Sequence, residues 1–304
     1  MRESNYKKTF EDYLKSKGFT KKSIANRLKT INLYQQWTDK ENIEIEQVTY
    51  NDLLLFMKYS QQVGRTQKTI NHYLIVVRHF YDHLTESGKM ATNPAIGIEV
   101  KGVKRKVLYH ILEVHELHQL YHAYPADTLH DRRNKVILGL FTYQGLKSEE
   151  VGRLEVKDIK LREGKIDVAG GVRSNGRILT LEAHQVMDMY DYVLQVRPEL
   201  LQIKPNKTYK SEPLKDALFI GEGGYRYSMD NLITKVMTRT KKINPSVQNA
   251  KQLRASVITK WLKTKNLREA QYLAGHRYIS STESYLQNEM EGLKEEVQMF
   301  HPLG

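Results

Sequence analysis

Apolar positions recur at helical spacing through the first 87 residues, which predicts four helices. Ser4 is placed to cap a first helix with Tyr6, Phe10, Tyr13 and Leu14 on one face, and Thr20 a second with Ile24, Leu28, Ile31, Tyr34 and Trp37. A third runs from Thr49 to about Gln62. Thr66 opens a fourth, with Ile70, Tyr73, Leu74, Val77, Phe80, Tyr81 and Leu84 in register up to Gly88. Aromatic stripes at this spacing are the core face of a bundle. The second half is mixed. Residues 113–123 and 130–144 read as helices. Lys165–Val168 and Arg177–Leu181 read as strands flanking a polar turn at Gly170–Gly176. Helical patterns return at Ala183–Val196, Met229–Lys241, Lys251–Leu262, Leu267–Leu273 and Ser280–Met299. The expected fold is mainly α with a small β-sheet. Asn93-Pro94 stops the fourth helix, and KGVKRK follows. These features predict a helical domain over 1–92, a basic linker over 93–106, and a mixed α/β domain over 107–304 that ends in a tail helix.

Composition narrows the chemistry. The 304 residues suffice for two domains, with 40% hydrophobic and 27% charged residues. Cysteine is absent, which excludes disulfides, thiol nucleophiles and thiolate metal sites. No apolar run is long enough to span a membrane, and MRESNYKKTF holds no signal-peptide core. A cytoplasmic location and no membrane partner are therefore expected. The net charge of +13 points to a polyanion, with nucleic acid first. Residues 1–105 hold 18 basic against 11 acidic residues, and 106–304 hold 30 against 24, so both halves are expected to touch that partner. In the linker, Lys101, Lys104, Arg105 and Lys106 are candidate phosphate contacts, although a charge run also suits a solvated loop.

Two apparent motifs dissolve on inspection. HELHQ mimics the zinc pattern HExxH, but His115 and His118 are three apart where that pattern needs four. GEGG at Gly221–Gly224 lacks the Lys-Ser/Thr of a phosphate loop. No cofactor and no metal is expected. Three other segments carry more: YQGLKSEEVGRLEVKDI from Tyr143, KQLR at Lys251–Arg254, and AGHRYISSTESYL, in which Tyr285 lies nine residues after His276.

In this order, the segments resemble the tyrosine recombinase, or phage integrase, family over nearly the whole chain. TINHYLIVVRHFYDHLTESGKMATNP resembles the last helix and linker of the family's core-binding domain, and GLKSEEVGRLEVKDI its Gly-Leu-Arg-x-x-Glu-Leu box. KIDVAGGVRSNGRILTL resembles the hairpin that normally carries a catalytic lysine, KQLRAS resembles His-x-Leu-Arg-His, and LAGHRYISSTESYL the box of the nucleophilic tyrosine. The resemblance assigns Tyr285 as nucleophile, with His276 and Arg254 as catalytic partners and Glu150 as the supporting acidic residue. It also marks departures. Lys147 stands where the family has its first arginine, and Lys251 where it has its first histidine. The hairpin lacks the usual lysine; Arg173 is the nearest basic residue, and Lys165 begins the preceding strand.

The implied activity is site-specific recombination of double-stranded DNA through a 3′-phosphotyrosyl intermediate, serving integration, excision or inversion of a mobile element. A protein that is a monomer or weak oligomer when free would act as a homotetramer clamped on two duplexes. The amphipathic tail (Met290, Leu293, Val297, Phe300) is placed to pack either on a neighbour or on its own domain. A guanidinium grips two phosphate oxygens while an ammonium offers a point charge, so Lys147 is expected to replace charge, leaving Lys251 or Lys165 to protonate the leaving hydroxyl. Two alternatives stay open: a catalytically silent DNA-binding accessory protein, and a relaxase-like enzyme that nicks and joins one strand.

Overall fold

The computed structural model describes residues 2–101, 110–172, 174–204, 214–225 and 229–286. The chain divides into two compact units, Met1–Arg105 and Lys106–Gly304.

The first unit packs four helices: α1 (Arg2–Ser16), α2 (Lys21–Lys40), α3 (Tyr50–Gln62) and α4 (Gln67–Glu86). Three start where threonines satisfy the free N–H groups of the first turn. Thr20 accepts from Ser23, Thr66 accepts from Thr69, and Thr49 exchanges hydrogen bonds with Asp52. Ser4 falls inside α1, which already begins at Arg2. The aromatic stripes meet in the core. Phe10, Tyr34, Phe56, Phe80 and Tyr81 are fully buried, and the Tyr34 and Tyr81 hydroxyls bond each other at 2.8 Å, so neither polar tip is stranded.

The segment expected to open the linker belongs to this unit. The Arg78 guanidinium holds the carbonyls of Ala95 and Ile98 at 3.2 and 2.7 Å, and Asn93 Nδ2 donates to Asp82 at 2.7 Å. Ala95 and Ile98 are buried against the bundle. Lys101 is exposed. Lys104, Arg105 and Lys106 lie outside the described residues.

The second unit is built around α6 (Leu129–Thr142), buried from Ile137 to Thr142. Around it stand α5 (Val114–His122), α8 (Ala183–Asp191), α10 (Met229–Ile243) and α11 (Ala250–Thr264). A π-turn at Tyr192–Val196 links α8 to α9 (Arg197–Gln202), so the helix expected over Ala183–Val196 changes winding at its end. The sheet has one strand more than expected. β1 (Ile159–Lys160), β2 (Lys165–Val168) and β3 (Arg177–Thr180) pair antiparallel in the order β1-β2-β3, with Ile166 opposite Leu179 and Val168 opposite Arg177. Two residues are too few for β1 to show an alternating pattern. Two further short helices frame the site: α7 (Ser148–Arg153) and α12 (Leu267–Ala274). The final helical stretch is described over 280–286, and the rest of the expected tail helix, with Met290, Leu293, Val297 and Phe300, lies outside the described residues.

His118 and His122 of α5 face aromatic partners. The Tyr143 ring lies 5.1 Å from that of His118, and His184 lies 5.1 Å from His122. Among the described residues no group of three or more His, Cys, Asp or Glu side chains is arranged to hold a metal ion.

Candidate active site

Segments from three parts of the chain converge at α11. The turn after α6 bends at Gly145, whose φ of +56° is left-handed, and delivers Lys147 to the N-cap of α7. Glu150, one turn into α7, reaches back and accepts the Lys147 backbone N–H at 2.9 Å. α11 carries Arg254 on its buried side. The C-terminus of α12 turns at Gly275, φ +63°, and presents His276. Tyr285 follows on the last described stretch and packs against the core of the unit.

Arg254 is the hub. Its guanidinium donates to the carbonyls of Gly145 and Ala274 at 2.5 and 2.6 Å, lies 3.1 Å from His276 Nε2, and sets its charge near the Tyr285 phenol. Two carbonyls from different turns thus aim one fork, and the fork reaches the imidazole that stacks on the phenol. Arginine has no acceptor, so His276 Nε2 must accept. The proton of the neutral ring then sits on Nδ1, 2.9 Å from the buried hydroxyl of Thr282. The His276 and Tyr285 rings stack at 5.9 Å and 17°.

Electrostatics keep this imidazole neutral. Burial first, then the charges of Arg254, Lys147 and Arg177, push the His276 pKa down to about 3. Lys147 is half-buried, and its pKa is lowered by burial and by Arg254, against the pull of Glu150. Burial would raise the Glu150 carboxyl, but the hydrogen bonds and charge of Arg177, the Lys147 N–H and Arg254 outweigh it and hold the pKa below the usual range. A carboxylate thus lies behind a set of cations.

The structure therefore brings together Tyr285, His276, Arg254, Lys147 and Glu150. Lys251 is exposed on the first turn of α11 and lines a cavity of about 200 Å³ with Lys147 and Arg254. It stands at the mouth of the cluster. Lys165 is not brought in. It sits at the far end of β2, opposite Thr180, with its ammonium in solvent 3.4 Å from Glu163. Three strand positions separate it from the Val168–Arg177 pair that meets the site, about 10 Å at the usual rise. Arg173 lies outside the described residues.

One residue here escaped the sequence reading. Arg177 has no exposed side-chain surface and grips both Glu150 oxygens at 3.0 and 2.9 Å. Its Nε donates to the Leu273 carbonyl at 2.8 Å. A signal was present: in RILTL, Arg177 shares the inward face with Leu179, and an inward charge requires a buried partner.

Known protein families match most of the chain. The phage integrase family matches residues 110–291, and the phage integrase N-terminal SAM-like domain matches residues 8–88. Tyrosine recombinase XerC of Natranaerobius thermophilus is 27% identical over 281 residues, covering 89% of this chain and 91% of its own. Tyrosine recombinase XerD of Listeria innocua is 26% identical over 269 residues, covering 87% and 85%. The solved structure of XerH site-specific recombinase bound to palindromic difH substrate, a post-cleavage complex, shares the fold with a TM-score of 0.71 at 18% identity, over 91% of this chain and 79% of its own.

Proposed function

The chain belongs to the phage integrase family, and from that membership we propose that it is a site-specific DNA recombinase whose nucleophile is Tyr285. The observation that carries this reading is the single guanidinium of Arg254, which lies 3.1 Å from the His276 imidazole that stacks on the Tyr285 ring, with its charge near that phenol. A phosphodiester at that point would meet an oriented fork, with Lys147 and Lys251 opening on the same cavity. Tyr285 attacks phosphorus in line, the P–O5′ bond breaks, and a 3′-phosphotyrosyl ester conserves the bond energy for religation. Charge grows on the non-bridging oxygens as phosphorus becomes five-coordinate, and fixed cations stabilise that state without reorganising. A free phenol has a pKa of about 10. The Arg254 charge beside Tyr285 favours its phenolate. The leaving 5′ oxygen takes a proton from Lys147 or Lys251.

On this reading both units contact DNA. The helical bundle serves as a core-binding domain, the basic segment from Lys101 to Lys106 lies along phosphates, and recombination of two duplexes engages four protomers. The substrate is a specific site in double-stranded DNA at which a mobile element integrates, excises or inverts. The presence of Lys147 and Lys251, in place of the family's arginine and histidine, favours one second reading: a relative that binds DNA without cutting it.

A nicked suicide duplex carrying the site separates the two. Parent protein is expected to form a covalent adduct. Tyr285→Phe is expected to form none while its DNA affinity stays within about twofold, since one hydroxyl contributes little against a polyanion contact. An adduct that persists in Tyr285→Phe moves the nucleophile elsewhere, with the exposed Tyr278 the nearest candidate. No adduct from the parent supports the silent reading.

A further inference from the structure

We propose that Arg177 is a positioning residue for recombination: through its buried pair with Glu150 it holds Lys147, Arg254 and His276 in one fixed arrangement. The inference rests on the phosphotyrosyl reading above.

Each of the three guanidinium nitrogens has a separate task. Nη1 and Nη2 take the two Glu150 oxygens, and Nε takes the Leu273 carbonyl at the end of α12. The same carboxylate accepts the Lys147 backbone N–H and lies 4.0 Å from the Arg254 guanidinium. One ion pair therefore ties the start of α7, strand β3, helix α11 and the end of α12. Two residues beyond Leu273 the chain turns at Gly275, and an added Cβ there would lie 2.4 Å from Arg177 Nη1. The guanidinium is thus packed against the turn that presents His276. The hairpin follows the same contact. Asn175 N–H donates to the Gly275 carbonyl at 3.2 Å, and Ser174 pairs with His276 in a short antiparallel bridge. β3 and the His276 turn are thus joined through backbone bonds, and Arg177 is the side chain between them.

This arrangement does more than fill a core position. A buried ion pair contributes little net stability compared with apolar side chains of the same volume, because both charges lose their water. Two methionines would fill the space, but they would release the Leu273 carbonyl and the α7 N-terminus. Displacements of about 1 Å at a reacting centre cost on the order of 10²-fold in rate.

The test measures single-turnover cleavage of the suicide duplex, DNA affinity and thermal stability together, at a temperature where circular dichroism shows each variant folded. Arg177→Lys keeps the charge but loses the fork. It is expected to cleave at least tenfold more slowly with DNA affinity within about twofold. The paired variant Arg177→Met with Glu150→Met is expected to recover thermal stability close to the parent while cleavage stays about 100-fold down. Recovery of both stability and cleavage in the paired variant overturns the proposal, since the pair would then serve folding alone. If the paired variant does not fold, Arg177→Lys decides, and parent-like cleavage overturns the proposal. Absence of a covalent adduct in the parent protein strikes the phosphotyrosyl reading instead, so the two failures are distinguishable.

Discussion

Lys147 differs from an ordinary surface lysine in its surroundings. As a replacement for an arginine it reads as a point charge, but its half-buried position beside Arg254 lowers its pKa and makes the ammonium a better proton donor. Lys165, the other lysine considered, is committed to Glu163 in solvent. We expect Lys147→Arg to slow cleavage tenfold or more, because guanidinium does not release a proton near neutrality. A substrate with a 5′-bridging sulfur, whose thiolate leaves unprotonated, should restore Lys147→Arg but not Lys147→Ala, in single-turnover assays. Failure of the sulfur to restore Lys147→Arg would transfer the acid role to Lys251. His276 gives a pH prediction of definite sign. Its folded pKa of about 3 lies below the unfolded value of about 6.5, so the unfolded chain binds more protons between these limits. Stability from the neutral ring is complete above about pH 6.5 and is lost as pH falls toward 3. Glu150, also lowered, adds a loss of the same sign at the acidic end. Urea titrations should show a shallower decline for His276→Gln than for the parent between pH 6.5 and 4. Parallel curves would contradict the burial described for this ring.

Among the elements, short connections carry the site. α7 and α12 have six and eight residues, too few to be stable alone; they are held by the Arg177–Glu150 pair and by the Arg254 bonds to turn carbonyls. Gly275 is the sensitive joint. Its left-handed φ already disfavours a side chain, and the Arg177 guanidinium occupies the space a Cβ would need. Gly275→Ala is expected to lose roughly 1–3 kcal/mol from backbone strain, read by urea denaturation, together with a fall in cleavage as His276 moves. Unchanged stability would show that the turn accepts a side chain without displacing Arg177. The first unit has the opposite character. Its helices are 13–20 residues long over α2 to α4, with a threonine cap at each start, and periodicity finds them almost to the residue.

For the whole molecule, charge is the governing quantity. The net charge of +13 is shared between both units, and DNA phosphates bound by lysine and arginine release their counterions. With roughly 6–10 phosphates neutralised, log K should fall against log salt with a slope of about −5 to −9. Titrations of a fluorescent duplex between 50 and 200 mM salt would read it. A slope near −2 would mean that only a small part of the basic surface reaches the backbone.

Local rules made the bundle legible, because 3.6-residue periodicity and threonine caps act over a few positions and require no partner from elsewhere. The boxes around Lys147, Lys251–Arg254 and His276–Tyr285 were legible in the same way, as residue types at set spacing. Folding alone decided how they meet. It placed the Arg254 fork between two carbonyls, left the His276 Nε2 as an acceptor, and sent Lys165 into solvent although it lies on the hairpin beside the site. It also buried Arg177 against Glu150, 27 residues away in the chain. Such choices depend on which distant groups share a low-dielectric interior, where an unpaired charge is costly and a paired one is held in place. That pairing is fixed by the packing of α7, α11, α12 and the sheet, and no spacing along the chain encodes it.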